Sequence, residues 1–128
     1  MGDFRRAHED LDAWKLGMDF VDAIYQLTAS FPREEMFTLT SQMRRAAISI
    51  PTNIAEGAAK ESKKDSLRFY VIARGSLCEL ETELKIAERQ GYVGDARKLA
   101  NLLDRESRVL SGLINSVKRA LRTVHSKN

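Results

Sequence analysis

The fold is decided by residues 39–57, which read LTSQMRRAAISIPTNIAEG. Apolar residues recur there at intervals of three or four, a spacing that places them on one face of a helix. Pro51 falls inside this pattern, and a proline within a helix removes one backbone donor and pushes against the carbonyl one turn earlier. We therefore predict a long packed helix that is kinked near Pro51. Ser49 and Asn53 are placed to bond backbone groups beside the proline.

Outward from this stretch, the same periodicity predicts helices over residues 9–29, 33–57, 63–89 and 95–124. Pro32 separates the first two, and Gly57 is expected to end the second in the left-handed conformation. Ser62 and Asp95 are suitable N-caps for the third and fourth, and Gly91 follows the third. Four long helices with short connections predict an all-α fold, an antiparallel up-down-up-down four-helix bundle, formed as one domain over residues 1–128.

The first predicted helix carries two apolar stripes, where a surface helix needs only one. One stripe contains Leu11, Trp14, Met18, Val21, Tyr25 and Thr28. The other contains Phe20, Ile24, Leu27 and Phe31. We interpret the pair as a helix that is contacted on two sides, so that copies of the chain associate through it, with Phe20, Ile24 and Leu27 not sealed inside one copy.

The composition favours a cytoplasmic protein of ordinary domain size. The chain has 128 residues, of which 43% are hydrophobic and 30% charged. No apolar run approaches the roughly 20 residues that span a bilayer, so no membrane association is expected. Cys78 has no second cysteine to pair with, and its place among apolar residues predicts a buried, inert thiol.

The residue patterns of catalytic and metal sites are not found. A di-iron bundle requires Glu-x-x-His motifs, but the two histidines, His8 and His125, lie near the chain ends and neither follows a glutamate by three. The glycines are scattered and form no phosphate-binding loop. Glu106 and two other glutamates can face inward, but neighbouring arginines favour ion pairs over a metal. We therefore predict no enzyme activity, no metal and no cofactor.

Basic residues are concentrated in two places and are the candidate nucleic-acid contacts. Residues 97–128 hold eight Lys or Arg against two Asp or Glu, although the whole chain has a net charge of only +3. Several of these arginines recur at near-whole helical turns and can share one face, which could neutralise phosphates. The ordinary alternative is a solvated helix end that complements the helix dipole. The candidates are Lys60, Lys63, Lys64, Arg97, Lys98, Arg105, Arg108, Lys118, Arg119 and Arg122.

A second polar set lies among apolar residues and is interpreted as structural. It consists of Arg44, Asn53, Glu56, Arg74 and Glu81. For Arg44 and Arg74 we favour ion pairs with Glu56 or Glu81, in the core or between subunits, because apolar neighbours cover that surface. Glu81 also has Lys85 four residues on, which is ordinary helix-surface support.

Two segments give the chain a family resemblance. They read SQMRRAAISIPTNIAEG at residues 41–57 and ARGSLCELET at residues 73–82, and the Trp14-Lys15 pair precedes them. In their order and spacing they resemble the bacterial four-helix-bundle family of 23S rRNA-intervening-sequence proteins. The resemblance implies a homo-pentamer and a distant similarity to the accessory protein of diversity-generating retroelements, which binds nucleic acid and a reverse transcriptase.

Two functions follow as the main hypotheses, and a metal-dependent enzyme is a third option that elemental analysis would test. The first is a non-catalytic oligomeric bundle that binds RNA or DNA backbone with little sequence specificity. The alternative is a protein-protein adaptor or scaffold with no nucleic-acid role, whose apolar stripe contacts a partner protein. The discriminating feature is whether the basic residues form one continuous exposed surface.

Overall fold

The computed structural model describes the backbone of residues 7–126 and the side chains of residues 8–9 and 11–123. It is all-helical over this range, which confirms the predicted fold class. The four α-helices are α1 (Asp12–Thr28), α2 (Leu39–Ala58), α3 (Lys63–Arg89) and α4 (Arg97–Ser126). Short 3-10 helices occupy Ala7–Asp10 and Arg33–Glu35.

Each helix packs against two others. Helix α1 lies next to α2 and α4, and α3 lies next to the same two, whereas no Cα atoms of the diagonal pairs of described helices come within 8 Å of each other. This ring of contacts is the arrangement of a four-helix bundle. Arg44, early in α2, reaches Thr28 at the end of α1, and Pro51 lies beside Gly17. Contacts between the start of one helix and the end of the other are those of antiparallel neighbours. The up-down-up-down topology of the whole bundle and the kink stay predictions.

The local signals around α3 were read correctly. The Ser62 Oγ accepts a hydrogen bond from the Asp65 backbone N–H at 3.0 Å, which satisfies one of the free donors of the first turn. At the other end, Gly91 adopts a φ of 80°, in the left-handed region that favours glycine. The predicted bounds of α3 therefore match the observed ones.

Helix α2 differs from its predicted bounds at both ends. It begins at Leu39 rather than residue 33, because Arg33–Glu35 forms a separate 3-10 turn and Thr38 is non-helical at φ −122° and ψ −102°. Gly57 does not end α2, and its φ is not positive. It is instead buried inside the helix, where a methyl group would lie 2.6 Å from Cε1 of Tyr70. Gly57 is therefore needed for close packing of α2 on α3, and the predicted cap was wrong.

The proline in α2 is accommodated within a continuous helix. Pro51 is buried, and Asn53 Nδ2 donates to the Ser49 carbonyl at 2.8 Å and to Ser49 Oγ at 2.9 Å. The Ser76 hydroxyl of α3 donates to the same Ser49 Oγ at 2.7 Å. These bonds reach the Ser49 carbonyl and not the Ala47 carbonyl that Pro51 leaves free, and Ser49 joins α2 to α3.

The two stripes of α1 do not divide as expected between the core and a second copy, since Leu27 of the second is half-buried and Thr28 of the first is buried. Phe20 and Ile24 are completely buried within the single chain, so they belong to its core and are not available to a second copy. Met18 and Tyr25, on the other stripe, are 41% and 42% exposed. Cys78 is also exposed rather than buried. The fully buried large apolar side chains are Phe20, Ile24, Met43, Ile50, Ile54, Leu80, Leu110 and Ile114.

Candidate functional site

The outer face of α4 carries a line of arginines. Eight positions of α4, each three or four residues after the last, are all exposed: 97, 101, 105, 108, 112, 115, 119 and 122. Five of them are arginine, and the other three are the short residues Asn101, Gly112 and Asn115. At 1.5 Å per residue this line, called here the arginine line, extends about 38 Å.

The opposite face of α4 fixes the orientation of the arginine line. Leu103, Leu110, Ile114 and Val117 are buried in the shared core. Because these residues point into the bundle, helical geometry requires the arginines to point away from it. The arginines of the line therefore lie on the outward face of α4 in the single chain.

Two of the five arginines already have acidic partners. Arg97 Nη2 lies 2.8 Å from Asp95 Oδ2, and this pairing lowers the pKa of Asp95 and raises that of Arg97. Arg108 Nη1 lies 3.3 Å from Asp104 Oδ2. Within the described part of the chain, the other three arginines of the line form no ion pair. They are Arg105, Arg119 and Arg122.

The remaining basic candidates lie beside or away from this line. Lys98 is exposed and Lys118 is half-buried, and both flank the arginine line on α4. Lys60 is held at the end of α2 by Glu56, at 3.8 Å, and by the Phe69 ring, 5.0 Å from the ring centre. Lys63 and Lys64 are exposed in the first turn of α3. The structure thus groups the α4 candidates with one another and places the other lysines between the end of α2 and the first turn of α3.

The structural polar set has partners other than those expected. Arg44 Nε donates to Thr28 Oγ1 at 2.8 Å, and its guanidinium lies 4.6 Å from the centre of the Tyr25 ring. Glu56 faces solvent and pairs with the lysine four residues on. Arg44 therefore links α1 to α2 through a hydroxyl and an aromatic ring, not through an ion pair with Glu56.

The second expected pair is also not observed. Glu81 lies 3.6 Å from Lys85, four residues on, as its spacing predicted. Arg74 is half-buried, and among the described residues it forms no ion pair with Glu81. An ion pair therefore does not explain the position of Arg74.

Glu106 is the one fully buried carboxyl among the described side chains. It is 0% exposed, and neither of its oxygens has a hydrogen-bond partner among them. Its Oε2 lies beside Gly17 of α1, where Pro51 of α2 also approaches. Burial raises the pKa of Glu106 to about 8, so the side chain is protonated at neutral pH. The sequence placed Glu106 on the inward face, but only packing shows that it lacks a partner.

Glu83 on α3 is a weaker case of the same effect. It is buried, and its Oε1 has no hydrogen-bond partner in the described part of the chain. Burial raises the pKa of Glu83, and the charge of nearby Glu79 raises it further. Among the described residues, no group of three or more His, Cys, Asp or Glu side chains is placed to hold a metal ion.

A groove between α1 and α4 adjoins the arginine line. Its volume is about 660 Å³, within the roughly 300–1,000 Å³ typical of small-molecule sites. Lys98 and Arg105 contribute to its lining, together with apolar residues from both helices and from the segment before α4. The sequence did not indicate this groove, because its two walls are some 75 residues apart in the chain.

A second, smaller groove lies at the start of α2. It has a volume of about 370 Å³ and is lined by Met36, Phe37 and Ile48 together with Arg44 and Arg45. Phe37 is 92% exposed, which is unusual for a phenylalanine. This groove is the most apolar exposed feature around the α1–α2 connection.

Comparison with known proteins assigns the chain to a family. The profile described as 23S rRNA-intervening sequence protein matches residues 9–112. The chain belongs to this family. The match covers α1, α2, α3 and the first half of α4, which includes Arg97, Arg105 and Arg108 of the arginine line. Family membership confirms the resemblance seen in the sequence.

A solved structure supports the same fold. A protein of unknown function from the S23 ribosomal protein family of Bacteroides thetaiotaomicron superposes with a TM-score of 0.72. It is 23% identical, and the alignment covers 80% of this chain and 95% of that chain. The search of curated proteins gave no match. In the chain studied, none of the helices among the described residues has the length and apolar character needed to cross a bilayer.

Proposed function

We propose that this protein is a non-catalytic, cytoplasmic, oligomeric bundle that binds RNA or DNA through the phosphate backbone, with little sequence specificity. The observation that supports the proposal is the arginine line, which presents five guanidinium groups along one exposed helix face. Guanidinium groups bind phosphate oxygens in a bidentate manner and stay charged at any physiological pH. A straight line of them suits a polyanion better than a small acidic ligand.

The chemistry of the line favours backbone contacts over base reading. Its non-arginine positions are Asn and Gly, and α4 is a long helix on the outside of a bundle. A helix that reads bases lies within the major groove of a duplex, whereas α4 has one face packed against the rest of the bundle. The line instead offers a flat row of cations, which neutralises phosphates regardless of sequence.

Replacing three arginines should show this salt-dependent mode directly. In the variant Arg105→Gln, Arg119→Gln, Arg122→Gln, we expect the slope of log K against log salt to fall in magnitude by about 2 to 3, because each lost phosphate contact removes about 0.7–0.9. Filter binding of a structured RNA at several salt concentrations measures the slope. These three arginines are chosen because they have no acidic partner among the described residues.

The matched control removes three positive charges elsewhere. Lys15, Arg33 and Lys85 are exposed and lie on α1, the α1–α2 connection and α3. Their triple glutamine variant should keep the wild-type slope within about 1. An equal decrease of the slope in both variants would mean that binding depends on the net charge of the protein and not on the arginine line. Absence of binding to the wild type at low salt would contradict the proposed function.

Self-association is the second part of the proposal. The α1–α2 outer face consists of Trp14, Met18 and Tyr25 of α1 with Thr52 and Ala55 of α2. Met18 and Tyr25 remain well exposed in the single chain, and a shallow groove of about 410 Å³ lies beside Met18. Covering this face would bury apolar surface, which supports a homo-oligomer. The resemblance to the family favours a pentamer.

A charge on this face should separate the copies. We expect Met18→Glu to give monomers, because a buried, unpaired carboxylate costs several kcal/mol, while Met18 is exposed enough for the single chain to tolerate it. Ile72→Glu on α3 is the control, since Ile72 is 46% exposed against 41% for Met18. Sedimentation analysis reports the mass of each variant. An unchanged oligomer for Met18→Glu would exclude this face as the interface.

A protein adaptor is the alternative function. The groove lined by Met36, Phe37 and Ile48 supports it, because a nearly fully exposed phenylalanine is a typical anchor for a partner protein. Under this alternative the arginine line would be covered by a neighbouring subunit. Nucleic-acid binding that is lost in the arginine variant but kept in Phe37→Ala would favour the first proposal.

A further inference from the structure

The α1–α4 groove is placed where a strand bound to the arginine line would pass. Arg105 and Asn101 belong both to the line and to the lining of the groove. A phosphate held by Arg105 therefore lies at the mouth of the groove. The three smaller grooves found among the described residues share no residue with the line.

The inner surface of the groove is apolar and incompletely covered by the protein. Leu27 of α1, Leu99 and Leu102 of α4 and Val93 of the connecting segment line it, and all four are only half-buried. Half-buried aliphatic side chains facing a concave space gain free energy when a flat apolar ligand excludes water from them. The interior therefore suits a ring system with two apolar faces.

The polar groups of the groove suit the edge of such a ring. Gln26 and Asn101 carry amides and Ser30 a hydroxyl, so the lining offers both hydrogen-bond donors and acceptors. A nucleobase presents donors and acceptors along its edge and has π faces above and below. Amides that can donate and accept tolerate different bases, which agrees with low sequence specificity.

The charge around the groove is positive. Lys98 and Arg105 line it, and within the described residues neither forms an ion pair. The one acid of the lining, Asp95, is paired with Arg97 at 2.8 Å, and its Oδ1 also accepts from the Arg97 backbone N–H at 3.0 Å. The field at the mouth therefore attracts phosphate and not a cation.

We infer that the α1–α4 groove binds one unpaired nucleobase of a strand whose phosphates lie along the arginine line. This inference rests on the proposed nucleic-acid function and adds a substrate class to it. A base inside a regular duplex is stacked and paired, and it cannot enter a groove without being extruded. The protein therefore binds single-stranded or looped nucleic acid in preference to a continuous duplex.

The test uses an eight-nucleotide DNA strand with 2-aminopurine near its centre and a blunt duplex of the same sequence. Ala23→Leu fills the groove from α1, and Ala58→Leu, at the end of α2, is the control with a similarly half-buried alanine. We expect Ala23→Leu to weaken binding of the single strand about tenfold, near the low end of the contribution of one base. The affinity of Ala23→Leu for the duplex should equal that of the wild type. Ala58→Leu should bind both the single strand and the duplex with wild-type affinity.

Fluorescence distinguishes the groove from the line. The emission of 2-aminopurine should change on binding to the wild type and not on binding to Ala23→Leu. Gln26→Leu is a second variant at an exposed position, with less risk to folding, and it should reduce the same fluorescence change. Thermal melting of each variant confirms that it is folded.

The failures of the two proposals are distinguishable. If the wild type binds both probes and Ala23→Leu binds them equally well, the groove inference is overturned and the proposed function stands. The same holds if Ala23→Leu changes the oligomeric state and not strand binding, since a neighbouring copy would then fill the groove. Absence of binding for both probes at low salt would overturn the proposed function and the groove inference together.

Discussion

Glu106→Met should stabilise the bundle, and the gain should grow as pH rises from about 4.5 to 8. The wild-type carboxyl is completely buried without a hydrogen-bond partner among the described residues, and its pKa is raised to about 8 from 4.5. Methionine has a similar length and needs no partner, so it removes the cost of desolvating the acid. The expected gain at pH 8 is up to about 5 kcal/mol, from 1.36 kcal/mol for each unit of pKa difference.

The direction of the pH dependence follows from the raised pKa. The folded protein keeps the proton of Glu106 at pH values where the unfolded chain releases it. The contribution of Glu106 to the free energy of unfolding is therefore largest below pH 4.5. It falls as pH rises to about 8 and is constant above that. The structure places Oε2 of this carboxyl beside Gly17 of α1, which carries no charge.

Urea unfolding of wild type and variant between pH 4.5 and 9 measures the effect. The difference between the two curves cancels other titrating groups that they share. Glu81→Met is the control, because Glu81 is exposed and paired only with Lys85, and its substitution should change stability by no more than about 1 kcal/mol. A Glu106→Met gain that is constant with pH would contradict the raised pKa.

Gly57→Ala should destabilise the protein, whereas Gly75→Ala should stabilise it. A methyl group at Gly57 would lie 2.6 Å and 2.8 Å from ring carbons of Tyr70 and 3.0 Å from the Ser66 carbonyl oxygen. Tyr70 is itself buried and the carbonyl is backbone, so neither can move freely. We expect a loss of about 1–3 kcal/mol, the typical cost of overpacking.

Gly75 provides the comparison because it is a helical glycine with open space. No atom lies within 4 Å of a methyl group placed there. Alanine is favoured over glycine in a helix by about 1 kcal/mol, so this variant should gain up to that amount. Thermal or urea unfolding of both variants checks the pair, and equal effects at the two glycines would show that α2 and α3 are not in close contact at Gly57.

The elements that the sequence predicted well depend on neighbours along the chain. The bounds of α3 follow from a serine cap and a glycine stop, each of which acts within a few residues. The start of α2 was placed six residues early because the acidic segment 33–35 has the composition of a first helical turn. The non-helical backbone at Thr38 separates this segment from α2, and no local residue pattern predicts that break.

The elements that were misread depend on packing between helices. Two adjacent stripes of α1 are both apolar, so the sequence pattern alone does not show which of them faces the core. In the structure the face of α1 that carries Gly17 lies against Pro51, with Phe20 buried and Met18 exposed. The same limit applies to Cys78, whose apolar neighbours in sequence lie on a different side of α3.

The candidate site was partly visible in the sequence. The spacing of Arg97, Arg105, Arg108 and Arg119 indicated a shared face, because helical periodicity is a local property. The α1–α4 groove could not be predicted, since it requires the relative positions of two helices at opposite ends of the chain. The missing partner of Glu106 likewise appears only after every neighbour is placed.

Mapping the protein surface that touches bound RNA tests the central claim most directly. Ultraviolet cross-linking of a single-stranded RNA to the assembled protein, followed by mass spectrometry of the peptides, identifies the contact residues. The account predicts cross-links concentrated within residues 97–122 of α4 and in the α1 wall of the groove. Cross-links confined to α2 and α3, with α4 peptides unmodified, would contradict it.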